Sequence, residues 1–369
     1  MARTLLSESI HFLRSYFSPY PSYCIFFVTA VCNARCEHCF YWEEIASAKA
    51  KKELSLDKIE KIADSLDLIY LSIGGGEPFI RRDLADIVKA FYDRSGILYC
   101  NIVTNGFYVD RVRSIVKTIL KECPRLRLKI QVSIDDFEEA HDENRKVLGI
   151  YSKAIETVQM LSTEFRGNHA RLTIDIATCL IKTNKSHATE LVEHLRNKLN
   201  FDNYSFLYPR GNAEVEATKE VSGEEYKQAI RYLEKTEFRN NHNSILGAVH
   251  RVARRGILKV IEKNKFPWHC LGGKKFINIT EMGVLQPCEV LSQMTPDYDS
   301  NMANLADYDF DVSKAIIDTK AKEVVSYIKE TRCKCSFECA AMNNAVFDKR
   351  NAARVIWTWI TGSPDVLRK

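Results

Sequence analysis

The sequence predicts an α/β fold: repeated βα units around a parallel sheet, followed by a smaller cysteine-rich module. Two observations predict it. Between residue 23 and about residue 208, six short apolar, β-branched runs alternate with stretches of helical period. After Pro267 the character changes to a hairpin pattern, clustered cysteines and a helical tail. With 369 residues, 46% hydrophobic and 27% charged, the chain can bury a large core and suits two domains.

In chain order, residues 1–22 read as an amphipathic helix, with Leu5, Ile10, Leu13 and Phe17 set to pack on the protein's own domain and Arg14 among them. No signal-peptide cleavage pattern follows. Strands are expected at Tyr23–Thr29, Leu68–Ile73, Ile97–Thr104, Leu126–Ile134, Arg171–Leu180 and Tyr204–Leu207. The intervening helices show apolar faces: Leu56, Ile59, Ile62, Ala63 and Leu66; Leu84, Ile87, Val88 and Phe91; Val112, Ile115, Val116 and Ile119; Ile155, Val158 and Leu161; Leu191, Val192 and Leu195. Such alternation gives right-handed crossovers, in a sheet either doubly wound or curved into an open barrel, and periodicity leaves both open. Both gather their chemistry at the carboxyl ends of the strands. Residues 211–265 read as a helical connection. From residue 266 a second module is expected, with a hairpin of Phe276–Thr280 and Val284–Gln286 turning at Gly283.

The charge balance, 53 Lys+Arg against 48 Asp+Glu, is mild and evenly spread, so no nucleic-acid partner is expected. The absence of a run of about 18 apolar residues predicts no membrane span. Twelve cysteines suit a cytoplasmic protein that uses thiols for metal rather than for disulfides. Eight fall into two groups. Cys24, Cys100, Cys123 and Cys179 are solitary and read as small hydrophobes.

The first group, Cys32, Cys36 and Cys39, follows the first strand in a CxxxCxxC spacing. A four-iron cluster held structurally takes four cysteines, so three leave one iron open for a ligand. The competing reading is a zinc knot completed by His38, which stands awkwardly beside Cys39.

Further motifs sit at successive strand ends: Gly74-Gly75-Gly76-Glu77-Pro78 after the second, Thr104-Asn105-Gly106 after the third, and Ser133-Ile134-Asp135-Asp136 with Arg145 after the fourth. Together with the three cysteines, this resembles the radical S-adenosylmethionine superfamily over residues 23 to about 210. The resemblance implies a partial (β/α)6 TIM-like barrel, a [4Fe-4S] cluster on Cys32, Cys36 and Cys39, and S-adenosylmethionine on the open iron. Glu77 would accept hydrogen bonds from the ammonium of S-adenosylmethionine, and Gly75 and Gly76 would allow close backbone approach. Arg145 would pair with its carboxylate, with Ser133 nearby. Asn105 would lie near the ribose, with Asp135 a second candidate, and Phe40 near the adenine. The implied reaction is one-electron cleavage to a 5′-deoxyadenosyl radical that abstracts a substrate hydrogen, fed by a low-potential donor such as ferredoxin or flavodoxin.

The second group, Cys270-x12-Gly283-x4-Cys288 with Cys333, Cys335 and Cys339, resembles the auxiliary-cluster modules called SPASM and twitch. The full SPASM pattern has seven cysteines; five match the shortened form, with one auxiliary [4Fe-4S] cluster. Cys270 and Cys288 are the expected ligands. Cys333 and Cys339 are favoured to complete the set, because the thiolates of Cys333-Lys334-Cys335 reach separate irons with difficulty. A structural zinc site competes here too. The combination points to oxidation or cross-linking of a peptide or a small molecule such as a sugar alcohol. The residues before Tyr23 are too few for a peptide-leader-binding domain, which would leave leader recognition to a separate protein. A non-catalytic iron-sulfur electron carrier is the alternative, and the Glu77, Ser133 and Arg145 set argues against it. No spacing marks a residue as the acid or base for the substrate.

Overall fold

A computed structural model describes residues 5–48, 53–167, 169–236, 244–265 and 268–361. Six strands pair in parallel, in the order β6-β5-β4-β3-β2-β1: β1 Tyr23–Thr29, β2 Tyr70–Gly75, β3 Tyr99–Thr104, β4 Arg127–Ser133, β5 Leu172–Cys179 and β6 Asn203–Leu207. All seven residues of β1 are buried, as a strand covered on both faces requires. β4 instead alternates: Leu128, Ile130 and Val132 are buried, while Arg127, Lys129, Gln131 and Ser133 on the other face are partly exposed.

The expected helical faces supply the outer layer, with Ile59, Ile62, Leu84, Ile87, Val88, Val112, Val116, Val158, Leu161, Leu191 and Leu195 all fully buried. The result is the α/β partial barrel of the sequence reading. β2 and β3 begin two residues later than expected. Leu68 and Ile97 are buried, but they lie in the segments entering the strands, with the Leu68 amide donating to Ser95 O. Burial there mimics the apolar signal of pairing.

The cysteine-rich part joins the same sheet. β7 (Phe276–Ile279) lies parallel to the free side of β1, with Tyr23 opposite Phe276 and Phe26 opposite Ile279. β8 (Val284–Gln286) and β9 (Ala303–Asn304) continue it antiparallel, giving nine strands. The hairpin turn has Gly283 at φ +80°, a conformation side-chain-bearing residues avoid. The module boundary expected at 266 falls outside the described residues. Helices Gly223–Thr236 and Ile245–Lys263 occupy the connection, and the second packs against helices Glu338–Phe347 and Lys349–Thr361.

Helix Leu5–Phe17 forms as expected but sits the other way round. Ile10, Leu13 and Phe17 are exposed, whereas His11 and Ser15 are buried; the Leu5 side chain is outside the described residues. Polar anchors decide its orientation. His11 Nε2 lies 2.9 Å from Asp67, and Lys275 Nζ donates to the carbonyls of Ser15 and Tyr16 at 2.9 Å, capping the helix where its dipole favours a cation. Among the described residues no helix is long and apolar enough to cross a membrane.

Candidate active site

The loop carrying Cys32, Cys36 and Cys39 leaves the end of β1 and is fastened on two sides. On one side, the Gly76 amide donates to Thr29 O (2.7 Å) and the Glu77 amide to Val31 O (2.9 Å). A Cβ added to Gly75, at φ +111°, would stand 2.3 Å from Thr29 O, and one on Gly76 2.3 Å from Val31 O. The close approach these glycines permit is therefore to the cysteine loop's own backbone. On the other side, the Arg35 amide donates to Arg145 O (3.1 Å) and the Glu37 amide to Asn144 O (3.0 Å), at the end of helix Glu138–Arg145.

Within the loop, the Ala34 amide donates to Cys32 Sγ at 3.4 Å. Cys36 lies close enough to Cys32 and Cys39 to raise the proton affinity of both thiols. Burial pushes the Cys32 thiol up to about 12 and raises Cys36 and Cys39 too, while the Arg145 guanidinium opposes the rise in all three. His38 is engaged elsewhere: its Nδ1 lies 3.1 Å from Asn144 Nδ2 and its Nε2 3.7 Å from Asp135 Oδ2. Both ring nitrogens of His38 thus face side chains outside the cysteine loop. Among the described residues, no three His, Cys, Asp or Glu side chains are arranged to hold a single metal ion.

The predicted strand-end residues do converge, and they bind one another. Glu77, 1% exposed, accepts from the Asn105 amide (2.7 Å), Thr104 Oγ1 (2.8 Å) and the Phe79 amide (3.1 Å). Burial raises its carboxyl to about 6 despite those bonds. Asn105 Nδ2 donates to Asn33 Oδ1 at 2.9 Å, which ties the third strand end to the cysteine loop. Asp135 takes Arg145 Nη2 at 2.6 Å and Nε at 3.0 Å on one oxygen and the Cys179 amide at 3.0 Å on the other. Burial alone would raise Asp135, but Arg145, His38, His141 and the Cys179 amide hold it well below the usual carboxylate range. The guanidinium expected to meet a ligand carboxylate is thus paired with Asp135. Ser133 stands half-buried at the end of β4, opposite Ala177.

Arg210, just beyond β6, is the residue the sequence reading missed; its signal was its place at the sixth strand end. Its guanidinium lies 5.2 Å from the Phe40 ring and 4.7 Å from the Phe337 ring, 2.5 Å from Glu338 and 3.6 Å from Glu289. Phe40, Glu289 and Glu338 each adjoin a cysteine, at 39, 288 and 339, so Arg210 links the two constellations. Lys129 and Asp175 face each other at 3.5 Å on β4 and β5, and Asn203 Nδ2 donates to Asp175 at 2.8 Å.

The donor set suits the groups the motifs imply. Three neighbouring thiols leave one position of a four-iron cluster open. Asn33 Nδ2 in the same loop is buried without a partner and can donate to a bound ligand.

Fold and site define a class: a parallel βα barrel with a three-cysteine loop fastened at its strand ends. Residues 26–195 match the family model described as the Radical SAM superfamily. An AdoMet-dependent heme synthase of Oleidesulfovibrio alaskensis is 24% identical over 281 residues, 72% of this chain and 68% of that protein. A GTP 3′,8-cyclase of Alkaliphilus oremlandii is 29% identical over 136 residues, 36% of this chain and 40% of the cyclase. Streptococcus suis SuiB bound to S-adenosylmethionine shares the fold, with TM-score 0.60 and 14% identity over 87% of this chain and 72% of SuiB. So does native anSMEcpe with bound AdoMet, with TM-score 0.58 and 16% identity over 92% of this chain and all of that one.

Proposed function

We propose that the chain is a radical S-adenosylmethionine enzyme that oxidises or cross-links its substrate, a peptide or a small molecule. The observation that carries this reading is the CxxxCxxC loop, pinned by hydrogen bonds to the ends of β2 and β3 and to helix Glu138–Arg145. Cys32, Cys36 and Cys39 would hold a [4Fe-4S] cluster, and Glu77, Asn105, Ser133, Asp135, Arg145 and Phe40 would surround S-adenosylmethionine. When bound, these groups supply one-electron cleavage of a sulfonium and a hydrogen-abstracting 5′-deoxyadenosyl radical.

The chain's own residues bind, orient and shield. The inward faces of β4 and β5 offer Lys129 and Asp175 to a polar substrate, and the C-terminal cysteines would hold one auxiliary [4Fe-4S] cluster that carries an electron away. A peptide substrate is supported by the likeness to SuiB, whose structure bound to the precursor peptide SuiA also shares this fold at TM-score 0.56. A ferredoxin or flavodoxin would supply the first electron.

The test is the electron paramagnetic resonance signal of the dithionite-reduced Cys270→Ala/Cys288→Ala variant, with and without S-adenosylmethionine. Ligation at the open iron shifts the signal. An unchanged signal at saturating S-adenosylmethionine contradicts the proposal.

A further inference from the structure

A surface helix ordinarily turns its apolar stripe to the core and its polar residues to water. Helix Lys349–Thr361 does the reverse. It packs against helix Ile245–Lys263 and buries Asn351, Val355 and Thr358, while Ala353, Ile356, Trp357 and Ile360 form its outer face at i, i+3, i+4 and i+7. Trp357 is 68% and Ile360 71% exposed. Helix Leu5–Phe17 repeats the inversion, with Ile10, Leu13 and Phe17 outward and His11 and Ser15 inward. The two helices approach each other where the Tyr16 ring stacks on Phe347, two residues before helix Lys349–Thr361, with ring centroids 5.5 Å apart.

The charges identify what covers this face. Helix Lys349–Thr361 carries Lys349, Arg350 and Arg354, all exposed, and no acidic residue. Lys349 and Arg350 stand in its first turn, where the helix dipole disfavours cations. Arg354, one turn before Trp357, joins Arg255 and Lys259 of helix Ile245–Lys263 in lining a cleft of about 170 Å³ walled by Trp268. Among the described residues no carboxylate lines that cleft. Trp268 packs so closely on Gly256 that an added Cβ would stand 2.1 Å from the indole. Glu262, the one acidic residue of helix Ile245–Lys263, pairs with Lys227 at 3.3 Å.

A cationic cleft bordering an exposed tryptophan and isoleucine face is the composition of a helix that lies in the surface of an anionic bilayer, with its indoles at headgroup level and its aliphatic side chains at the acyl boundary. A second copy of the chain fits less well, because a symmetric pairing of this helix would set its three cations against the same three.

We propose that helix Lys349–Thr361 docks the protein on an anionic phospholipid membrane surface. Ile356, Trp357 and Ile360 enter the interface, Arg255, Lys259 and Arg354 meet a headgroup phosphate, and the outer face of helix Leu5–Phe17 makes a second apolar contact. The docking is interfacial and involves no span.

The test cosediments the full-length protein, reconstituted anaerobically, with vesicles of phosphatidylcholine alone and of equal parts phosphatidylcholine and phosphatidylglycerol. The mixed vesicles should carry the protein down at about 0.1 M salt and release most of it at about 1 M, where charges are screened; the neutral vesicles should leave it in solution. Trp357→Ser/Ile360→Ser should weaken binding by roughly tenfold or more, through the apolar area it removes. Lys259→Gln/Arg354→Gln should weaken it by about fivefold for each charge removed, and Leu13→Ser/Phe17→Ser should lower it too. Circular dichroism checks that each variant is folded, and light scattering without lipid reports self-association. Protein that ignores both kinds of vesicle, binds both equally, or binds as well after Trp357→Ser/Ile360→Ser overturns the proposal. So does a lipid-free dimer that this variant dissociates, which would assign the face to a second copy.

Discussion

Asp135 and Arg145 form the site's most buried charge pair, at 2% and 6% side-chain exposure. A buried pair broken on one side strands the other charge, which costs about 3–5 kcal/mol. Asp135→Asn should therefore lower unfolding free energy by that amount in urea titrations, and Asp135→Asn/Arg145→Met should recover part of it. The sign with pH follows from the depressed folded value. The ionised pair stabilises above the unfolded carboxylate value of about 3.9, and that contribution is lost as pH falls through the folded value. The gap between wild type and Asp135→Asn should shrink below about pH 4. Gly76 acts by exclusion. Gly76→Ala should depress the melting temperature and the iron held by the Cys32 loop, because a methyl group 2.3 Å from Val31 O forces the two loops apart; iron content and a thermal melt check it. The sequence identified Glu77, Asn105, Asp135 and Arg145 by their motifs. Their mutual pairing was not legible, because it joins residues up to 28 positions apart, as between Glu77 and Asn105.

At the scale of elements, the cysteine loop is positioned by three neighbours rather than by its own conformation: the Gly74-Gly75-Gly76 strand end, Asn105 and helix Glu138–Arg145. The strands themselves were legible from apolar runs, and the β7–β8 hairpin from its turn. The parallel docking of β7 on β1 was not, since nothing local records which strand edge a distant strand will meet. Nor was the orientation of helix Leu5–Phe17, which is set by Asp67 and Lys275, far away in sequence. β7 gives a prediction of its own. Ile277 is fully buried in it, so Ile277→Ala should cost about 2–5 kcal/mol. Because β7 belongs to the barrel sheet, the loss should appear in a single transition followed by tryptophan fluorescence and far-ultraviolet circular dichroism alike. A separate low-temperature transition would contradict that coupling.

Across the whole molecule, two cysteine constellations share one nine-stranded sheet, with Arg210 between them. The partial barrel was legible because each βα unit repeats the same local pattern, and the contacts of Glu77 with Asn105 and of Asp135 with Arg145 join motifs that fall at successive strand ends. Arg210 was not, because a single arginine carries no spacing. The central claim is that the Cys32, Cys36 and Cys39 loop serves the cleavage of S-adenosylmethionine. The most direct measurement is product analysis after anaerobic reconstitution and incubation with dithionite and S-adenosylmethionine. Wild-type protein should form 5′-deoxyadenosine and methionine, and Cys36→Ala none above background. Reconstituted wild-type protein that binds iron yet forms no 5′-deoxyadenosine would contradict it.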